Sequence, residues 1–575
     1  MYIVTDTIFL FVFSEDELDL SDEMPSSSSE DESDEVETLQ EEKEASNWRW
    51  NWTTKDAPMP AFPIDLSNEG GPAALPHFSN KWRPVDFFMA MFPPRIVQLA
   101  KEETNRYASQ NNAGIAATVN PAWRSVTEEE LFRFLAILLT AGALRVRNMN
   151  LLWSKKNPSV VKLPSVAHVM PEYRWKQIKR YFHLVDNTKL VPAGSEKYDP
   201  LVKVRLVYEC LQERFRIHWK LGQFVSLDES MTAWKGRSRF KQYIRSKPIR
   251  WGFKFFCLAD PISGYFKEFI LYTGKKTVEK KYGLCTDAVL ELVKKSNLEN
   301  SNVVIVADNY YTSPLLLALL ASKGCGFIGT CQLTRKHVPV QLVKFSERPG
   351  SIVRGAYKSA VVNLSRVSSS LPNVPMYCVS WYDTRAANFL ATAGGLMQST
   401  VTRRKRNGNE EEVPAPVLVK MYNRTMGGVD RADQNKGRYS VAAVVKTRKW
   451  WFRIFCGLLD MAITNAWQLY RYKVTGEEKL NHLQFILAVC DGLLITSTSL
   501  SSPSQNSRAN QVGMHRLIKQ EKPSRCVICS SKRTYSRTMW MCNICQYAMC
   551  AEDCFSEYHD SGFSITSNFK KRTAR

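Results

Sequence analysis

The sequence predicts an α/β chain of several domains, on three observations. Apolar residues recur at helical spacing from about residue 81 to 218. After Leu221 the texture changes to short strand-like runs broken by two helical ones, in the order β-β-β-α-β-α-β. Near the C-terminus, six of the fourteen cysteines crowd between Cys526 and Cys554. At 575 residues the chain is too long for one core, so two or more domains are expected.

Charge divides the chain before any motif does. Residues 1–45 hold sixteen Asp/Glu and one Lys, a net of −15, so the remainder carries +37 of a total of +22. A body that basic points to a polyanion, most often nucleic acid; the plainer reading is a soluble basic surface. The acidic head, SEDELDLSDEMPSSSSEDESDEVE, is poor in apolar residues and is expected to be disordered. The opening MYIVTDTIFLFVF is short and lacks a basic region before it, so it is not read as a signal peptide. No later run approaches the ~18–20 apolar residues that cross a membrane. The scattered cysteines, such as Cys210, Cys257 and Cys325, read as buried thiols in a reducing compartment.

Each element has its own signal. Residues 46–80, rich in Pro, Asn and Trp, read as a linker. VDFFMAMFPPRIVQLAKEETNRYA and TEEELFRFLAILLTAGAL show i, i+3/i+4 apolar spacing, the second opened by Thr127 as N-cap, and RWKQIKRYFHLVDN continues the style. FVSLDESM is a strand; IRWGFKFFCLAD and GYFKEFILYTG are two more, joined by the turn DPISG. TDAVLELVKKSN is a helix, NVVIVADNYYT a buried strand, SPLLLALLASKG a helix ended by Gly324, and GCGFIGTCQ a strand. Residues 335–420 are irregular, with alternating pieces such as MYCVSWYD. KTRKWWFRIFCGLLDMAITNAWQLYRY reads as an amphipathic helix, and the Ser/Asn/Gln-rich stretch at 497–513 as a linker.

Four acids share one kind of context. Asp228 follows the strand FVSL, and Asp308 closes the apolar run VVIVAD, where a charge is costly without a partner. Asp430 and Asp433, at i and i+3 in GGVDRADQ, share one face of any helix that starts there. Carboxylates gathered at one sheet edge repel each other unless a divalent cation lies between them. Mg²⁺ suits such a set, and two ions about 3.5–4 Å apart can activate water and stabilise the leaving oxygen of a phosphodiester. The plainer readings are strand-end aspartates and a helix-dipole pair. Glu229 is expected on the opposite strand face from Asp228, in a structural role.

The stretch LDESMTAWKGRSRFKQYIRSKPIRWGFKFF resembles the signature of piggyBac-type transposases, ADNYYTS resembles their second-acid motif, and GGVDRADQ their third. The resemblance runs from about Trp82 to His559. It implies an RNase H-like catalytic core with a DDD acid set, a β-rich insertion, helical DNA-binding segments on both sides and a cysteine-rich C-terminal domain. Carried over by position, it makes Asp228, Asp308 and Asp430 ligands of two Mg²⁺ ions, with Asp433 a further acid beside the third. It implies cut-and-paste transposition of double-stranded DNA between terminal repeats and TTAA targets, by a nuclear homodimer. A regulatory protein that keeps the fold and binds DNA without transposing is the second reading. The acids lie 80 and then 122 residues apart, and the longer gap makes room for the insertion.

The expected plan is an acidic tail and linker (1–80), a helical domain in two parts (81–218 and 446–496), a core in parts (219–334 and 421–445), an insertion (335–420), a linker (497–522) and a zinc domain (523–562). Expected DNA contacts are Lys235, Arg237, Arg239, Lys241 and Arg245, then Arg335 and Lys336, then Lys446, Arg448 and Lys449, with Trp450 stacking on bases. Gln332 departs from relatives, which carry Arg there. The C-terminal spacing C-x2-C-x12-C-x2-C-x4-C-x3-C-x4-H is a zinc signal. A cross-brace pairs Cys526 and Cys529 with Cys550 and Cys554 on one Zn²⁺, and Cys542 and Cys545 with His559 and His515 on a second. His515 enters because relatives carry His at its place. The ligand order argues against a RING ligase or PHD reader.

Overall fold

The computed structural model describes residues 47–54, much of 62–73, 82–111, 122–154, 165–500 and 517–555, the last two stretches with short breaks. The acidic tail, His515, Cys545 and His559 lie outside the described residues.

Strands β1 (Gly70–Pro72) and β2 (Trp219–Leu221) form a short ladder beside the main sheet. That sheet is built on β3 (Phe224–Ala233), which is buried along nearly its whole length. β3 pairs antiparallel with β5 (Trp251–Ala259) and parallel with β7 (Val304–Ala307). β6 (Phe266–Leu271) lies beyond β5, sharing its outer edge with the three-residue β4 (Lys241–Tyr243). β8 (Gly326–Thr330) lies beyond β7 and parallel to it. The order β6-β5-β3-β7-β8, three strands antiparallel and two parallel to the first, is the RNase H-like arrangement. Continuous apolar runs such as VIVA belong here because both faces of a sheet with parallel strands are covered.

The segment 335–420 is β-rich, as expected, but much of it is continuous with the core. β9 (Tyr357–Asn363), β10 (Pro375–Tyr382) and β11 (Ala386–Ala391) extend the same sheet, because β11 pairs with β8. Only the hairpin of β12 (Gln398–Arg404) and β13 (Glu410–Pro416) forms a sheet of its own. The linker reading of 46–80 also changes. Thr53 exchanges backbone hydrogen bonds with Val361 at 2.9 and 2.8 Å, so the Trp-rich segment covers the exposed edge of β9. Trp50 stacks on His337, and the Trp52 indole donates to the His337 carbonyl at 2.9 Å. Large aromatic area holds this segment down where low periodicity suggested a tether.

The helices flank the sheet. Pro93 and Pro94 split the first expected helix into α1 (Pro84–Met91) and α2 (Pro94–Gln110), since proline removes a backbone donor and fits only a helix start. α3 (Glu128–Ala143) opens with Thr127 accepting from the Glu130 N–H, the expected cap. α4 (Glu172–Tyr181) and α5 (Arg205–His218) follow; α6 (Leu284–Lys295) and α7 (Pro314–Ser322) are the crossovers around β7. α8 (Val417–Thr425) and α9 (Gly428–Arg438) lead to α10 (Trp450–Lys473) and α11 (His482–Leu500). α11 runs past the linker start expected at 497. α10 packs on α1, and α11 on α3, so the two expected helical parts share one apolar core. Cys210, Cys257 and Cys325 are buried thiols, as expected.

α10 is not the amphipathic surface helix its sequence suggests: between Trp450 and Tyr470 every residue but Arg453 is buried. Its polar residues have partners. Asp460 accepts from the Ser440 hydroxyl and from the Val441 and Ala442 N–H groups. Asn465 accepts from the Phe266 N–H and donates to the Phe266 carbonyl, both at 2.8 Å, closing the free edge of β6 as a strand would. Asn465→Leu orphans both backbone groups at similar volume and is expected to cost on the order of 2–4 kcal/mol, read as a fall in thermal midpoint. An unchanged midpoint would show that the clamp contributes nothing.

Candidate active site

Sheet register brings the first two acids together. Leu227 pairs with Ala307 across the parallel β3–β7 ladder, so Asp228 and Asp308 follow at neighbouring positions on the same face. Asp308 accepts from the Tyr310 N–H at 2.9 Å and has no ion pair among the described residues. Burial, and then the charge of Asp228, push its carboxyl up.

The third acid arrives from 122 residues away through a close contact. The Ser226 hydroxyl, one pleat before Asp228, donates to the Thr425 carbonyl at 2.5 Å and accepts from the Gly428 N–H at 3.1 Å. A Cβ at Gly428 would lie 2.4 Å from that hydroxyl, so only glycine lets the start of α9 settle on β3. The guanidinium of Arg431 donates to the Pro261 and Ile262 carbonyls and clamps α9 to the β5–β6 turn. Asp430 then sits in the first turn of α9, 61 % exposed, where the helix dipole favours an anion.

Lys247, which the sequence analysis did not single out, joins the set. Its Nζ lies 2.7 Å from Asp228 Oδ2 and 3.4 Å from Asp430 Oδ1. Glu229 is also closer to the chemistry than strand alternation implied. Its backbone N–H donates to Asp228 Oδ1 at 2.7 Å, and its carboxyl lies 3.9 Å from Lys254 Nζ, which in turn donates to the Tyr310 hydroxyl at 3.1 Å. Burial, then the neighbouring Glu229 carboxyl, push the Asp228 carboxyl up to about 7 despite Lys247. The only signals were a lysine before a proline and an acid beside an acid; neither reveals a contact across the sheet.

Asp433 stands apart from this triad. It accepts from the Ser230 hydroxyl at 2.5 Å and pairs with buried Lys436 at 2.7 Å, and Lys436 also donates to the Met231 carbonyl. Among the described residues, only four cysteines bring three or more ligand atoms within 4.8 Å of one another; the acids spread wider, with Lys247 between Asp228 and Asp430. A set of three carboxylates, short of cations and partly open to solvent, suits a hard divalent ion held with water and phosphate oxygen.

The expected DNA contacts divide. Lys235, Arg237, Arg245, Lys336, Lys446 and Arg448 are exposed. Arg239 is held by the Tyr198 hydroxyl and ring, Lys241 lies over Trp251, Arg335 donates to the Asn309 and Tyr310 carbonyls, and Lys449 donates to the Arg180 carbonyl. Trp450 is 9 % exposed and edge-on to Phe240, so its ring is core and is not offered to a base. Gln332 is exposed.

In the C-terminal module, β14 (Leu517–Arg525) and β15 (Arg537–Cys542) form a hairpin. Beside it Cys526, Cys529, Cys550 and Cys554 gather their sulfurs, which form the one candidate metal cluster of the described residues. Burial raises the Cys526 thiol, but N–H groups of Cys529 and Cys550 bring it below its ordinary value, whereas burial raises the Cys529 and Cys554 thiols. Cys542 is buried nearby; its expected co-ligands fall outside the described residues.

The strand order and the carboxylates at β3, β7 and α9 define a protein of the RNase H-like class. A family model described as Transposase IS4 matches residues 83–467. The human PiggyBac transposable element-derived protein 3 is 26 % identical over 499 residues, covering 83 % of this chain and 78 % of that protein. The human PiggyBac transposable element-derived protein 2 is 27 % identical over 504 residues, covering 85 % and 78 %. The cryo-EM structure of a piggyBac transposase synaptic complex with hairpin DNA shares the fold, with a TM-score of 0.62 at 20 % identity, over 84 % of this chain and all of that one. The chain belongs to the piggyBac transposase family.

The raised Asp228 carboxyl has a consequence for stability. Its folded value, about 7, exceeds its ordinary 3.8, so between these limits the folded state binds more protons and stability falls as pH rises. Asp228→Asn removes that dependence. The variant is expected to gain thermal midpoint relative to wild type from pH 5 to pH 8, and an equal difference at both pH values would refute the shift.

Proposed function

We propose that the protein is a DDD-type DNA transposase that cuts and joins double-stranded DNA, excising an element at its terminal repeats and inserting it at TTAA targets. The observation that carries the reading is the bridging of Asp228 and Asp430 by the Lys247 ammonium, with Asp308 beside Asp228 on the neighbouring strand of an RNase H-like sheet. Two Mg²⁺ ions at these carboxylates would supply an activated water or 3′-hydroxyl and stabilise the leaving oxygen. The chain's own residues do the rest. Asp228 and Asp308 offer oxygens from rigid strands, and Asp430 offers one from a helix start pinned by Ser226. Lys436 neutralises Asp433, so that acid supports the geometry of α9 and β3. The exposed cations Lys235, Arg237, Arg245, Lys336, Lys446 and Arg448 would hold phosphates without reading bases. In this reading the protein acts in the nucleus as a homodimer.

Asp308→Asn removes one ligand without breaking an ion pair. It is expected to reduce metal-dependent nicking of terminal-repeat DNA to background while DNA affinity stays within about twofold; cleavage at the wild-type rate would remove Asp308 from the site.

A second reading follows from the names of the human relatives, which are described as derived from transposable elements. The chain would then bind DNA and regulate without transposing. Excision of a marker flanked by terminal repeats from the same genome separates the two, since a regulator binds those ends and leaves them joined.

The C-terminal module would bind two Zn²⁺ ions, one on Cys526, Cys529, Cys550 and Cys554, the other on Cys542, Cys545, His559 and His515. Metal analysis of the full chain is expected to return two zinc per chain, and one for Cys529→Ser. A Cys529→Ser chain that retains both would defeat the pairing.

A further inference from the structure

We infer that Lys247 is a resident counter-ion of the acid set, displaced by a divalent cation when DNA arrives, so that metal loading is tied to DNA binding. The inference rests on reading Asp228, Asp308 and Asp430 as a metal site.

Lys247 Nζ occupies the position between Asp228 and Asp430 that a cation bridging them would take, at 2.7 and 3.4 Å. An ammonium there relieves the repulsion between the carboxylates, and it competes with any metal for the same oxygens. Lys436 has no such freedom. It is buried between Ser230, Asp433 and the Met231 carbonyl, and its removal would leave Asp433 without its counter-ion. Lys247 is 15 % exposed and belongs to the turn between β4 and β5, closed by the Ile244 N–H donating to the Arg250 carbonyl at 2.9 Å.

The same turn carries Arg245 and Arg250, both exposed. A DNA backbone drawn to these arginines offers the ammonium a second anion, and a lysine's four-carbon stem lets its head change partner without moving the backbone. The exchange balances in charge: the ammonium passes from carboxylate to phosphate, and the carboxylates take the divalent ion. Free protein therefore binds metal weakly and DNA-bound protein binds it well. By linkage, metal must strengthen DNA binding by the same factor. Such coupling keeps a nuclease unarmed until its substrate is seated.

The test is Mn²⁺ binding to the zinc-replete full-length chain, read from the electron paramagnetic resonance of free Mn²⁺ and so independent of cleavage. Wild type is expected to bind Mn²⁺ at least tenfold tighter with duplex DNA than without. Lys247→Gln should bind it at least tenfold tighter than wild type without DNA and gain little when DNA is added. Lys247→Arg, which keeps the charge, should follow wild type. Lys247→Gln should also show a larger rise in thermal midpoint with Mn²⁺ than wild type, which checks that it is folded. A Lys247→Gln chain that binds Mn²⁺ no tighter than wild type without DNA overturns the counter-ion. Asp228→Asn separates this failure from a deeper one. If it leaves Mn²⁺ binding intact, the acids are not the metal site and the proposed function falls. If it abolishes binding to which Lys247→Gln is indifferent, only the counter-ion falls.

Discussion

The candidate site depends on the contact between the start of α9 and β3. Two acids come cheaply, since strand pairing alone aligns Asp228 with Asp308. The third must be carried to the same face from far along the chain, across the strands of 335–420. The Ser226 hydroxyl does this by serving the Thr425 carbonyl and the Gly428 N–H at once, and the missing side chain at Gly428 lets the helix come close enough. Further along, Lys436 bridges Ser230 and Asp433 in the same interface. The strand contributes Ser226, Asp228 and Ser230 on one face, in step with period two; the helix answers with Gly428 at its first position and with Asp430 and Asp433, three apart on one face. One register therefore sets both the structural contacts and the acid.

Two of the site's three lysines, Lys436 and Lys247, divide the electrostatic work. Burying Lys436 is tolerable because Asp433 and two further acceptors satisfy it, and removing any one would leave a buried charge unpaired. That cost makes the interface rigid. Lys247 is itself less buried than Lys436, and although Asp228 is buried its second partner, Asp430, is 61 % exposed, so that second ion pair is weaker and replaceable. A site of this kind has a fixed frame and an exchangeable cation.

Strand-forming runs and the acids at their ends were legible in the sequence because each is local: apolar continuity, a turn such as DPISG, a cap such as Thr127. The Pro93–Pro94 break was legible in principle and lost to periodicity. What failed was long-range. Hydrophobic spacing made α10 amphipathic, yet the helices of 81–218 and the sheet surround it, and its polar residues Asp460, Thr464, Asn465 and Gln468 are buried. Trp450 followed it into the core. The segment 335–420 looked separable because its irregular stretches hid three strands that prolong the main sheet. Lys247 and Glu229 were missed as partners of Asp228 because chain folding, not spacing, brings them there.

α10 also shows why the helical parts and the catalytic sheet are not independent modules. A helix buried on every side is held by the packing of its neighbours, and its buried polar groups add a specific register to that packing. Asn465 and Asp460 set that register. The first is matched to one backbone position on β6, the second to the turn that ends the loop after α9. Each would leave buried donors unpaired if α10 shifted by a single residue. The helix is thereby indexed at one end of this pair to the sheet that carries Asp228, and at the other to the segment that carries Asp430. Its basic start, Lys446 to Lys449, is held in register with both acids. A duplex gripped there would be positioned relative to the carboxylates by side-chain amides and carboxylates deep in the core, far from any phosphate.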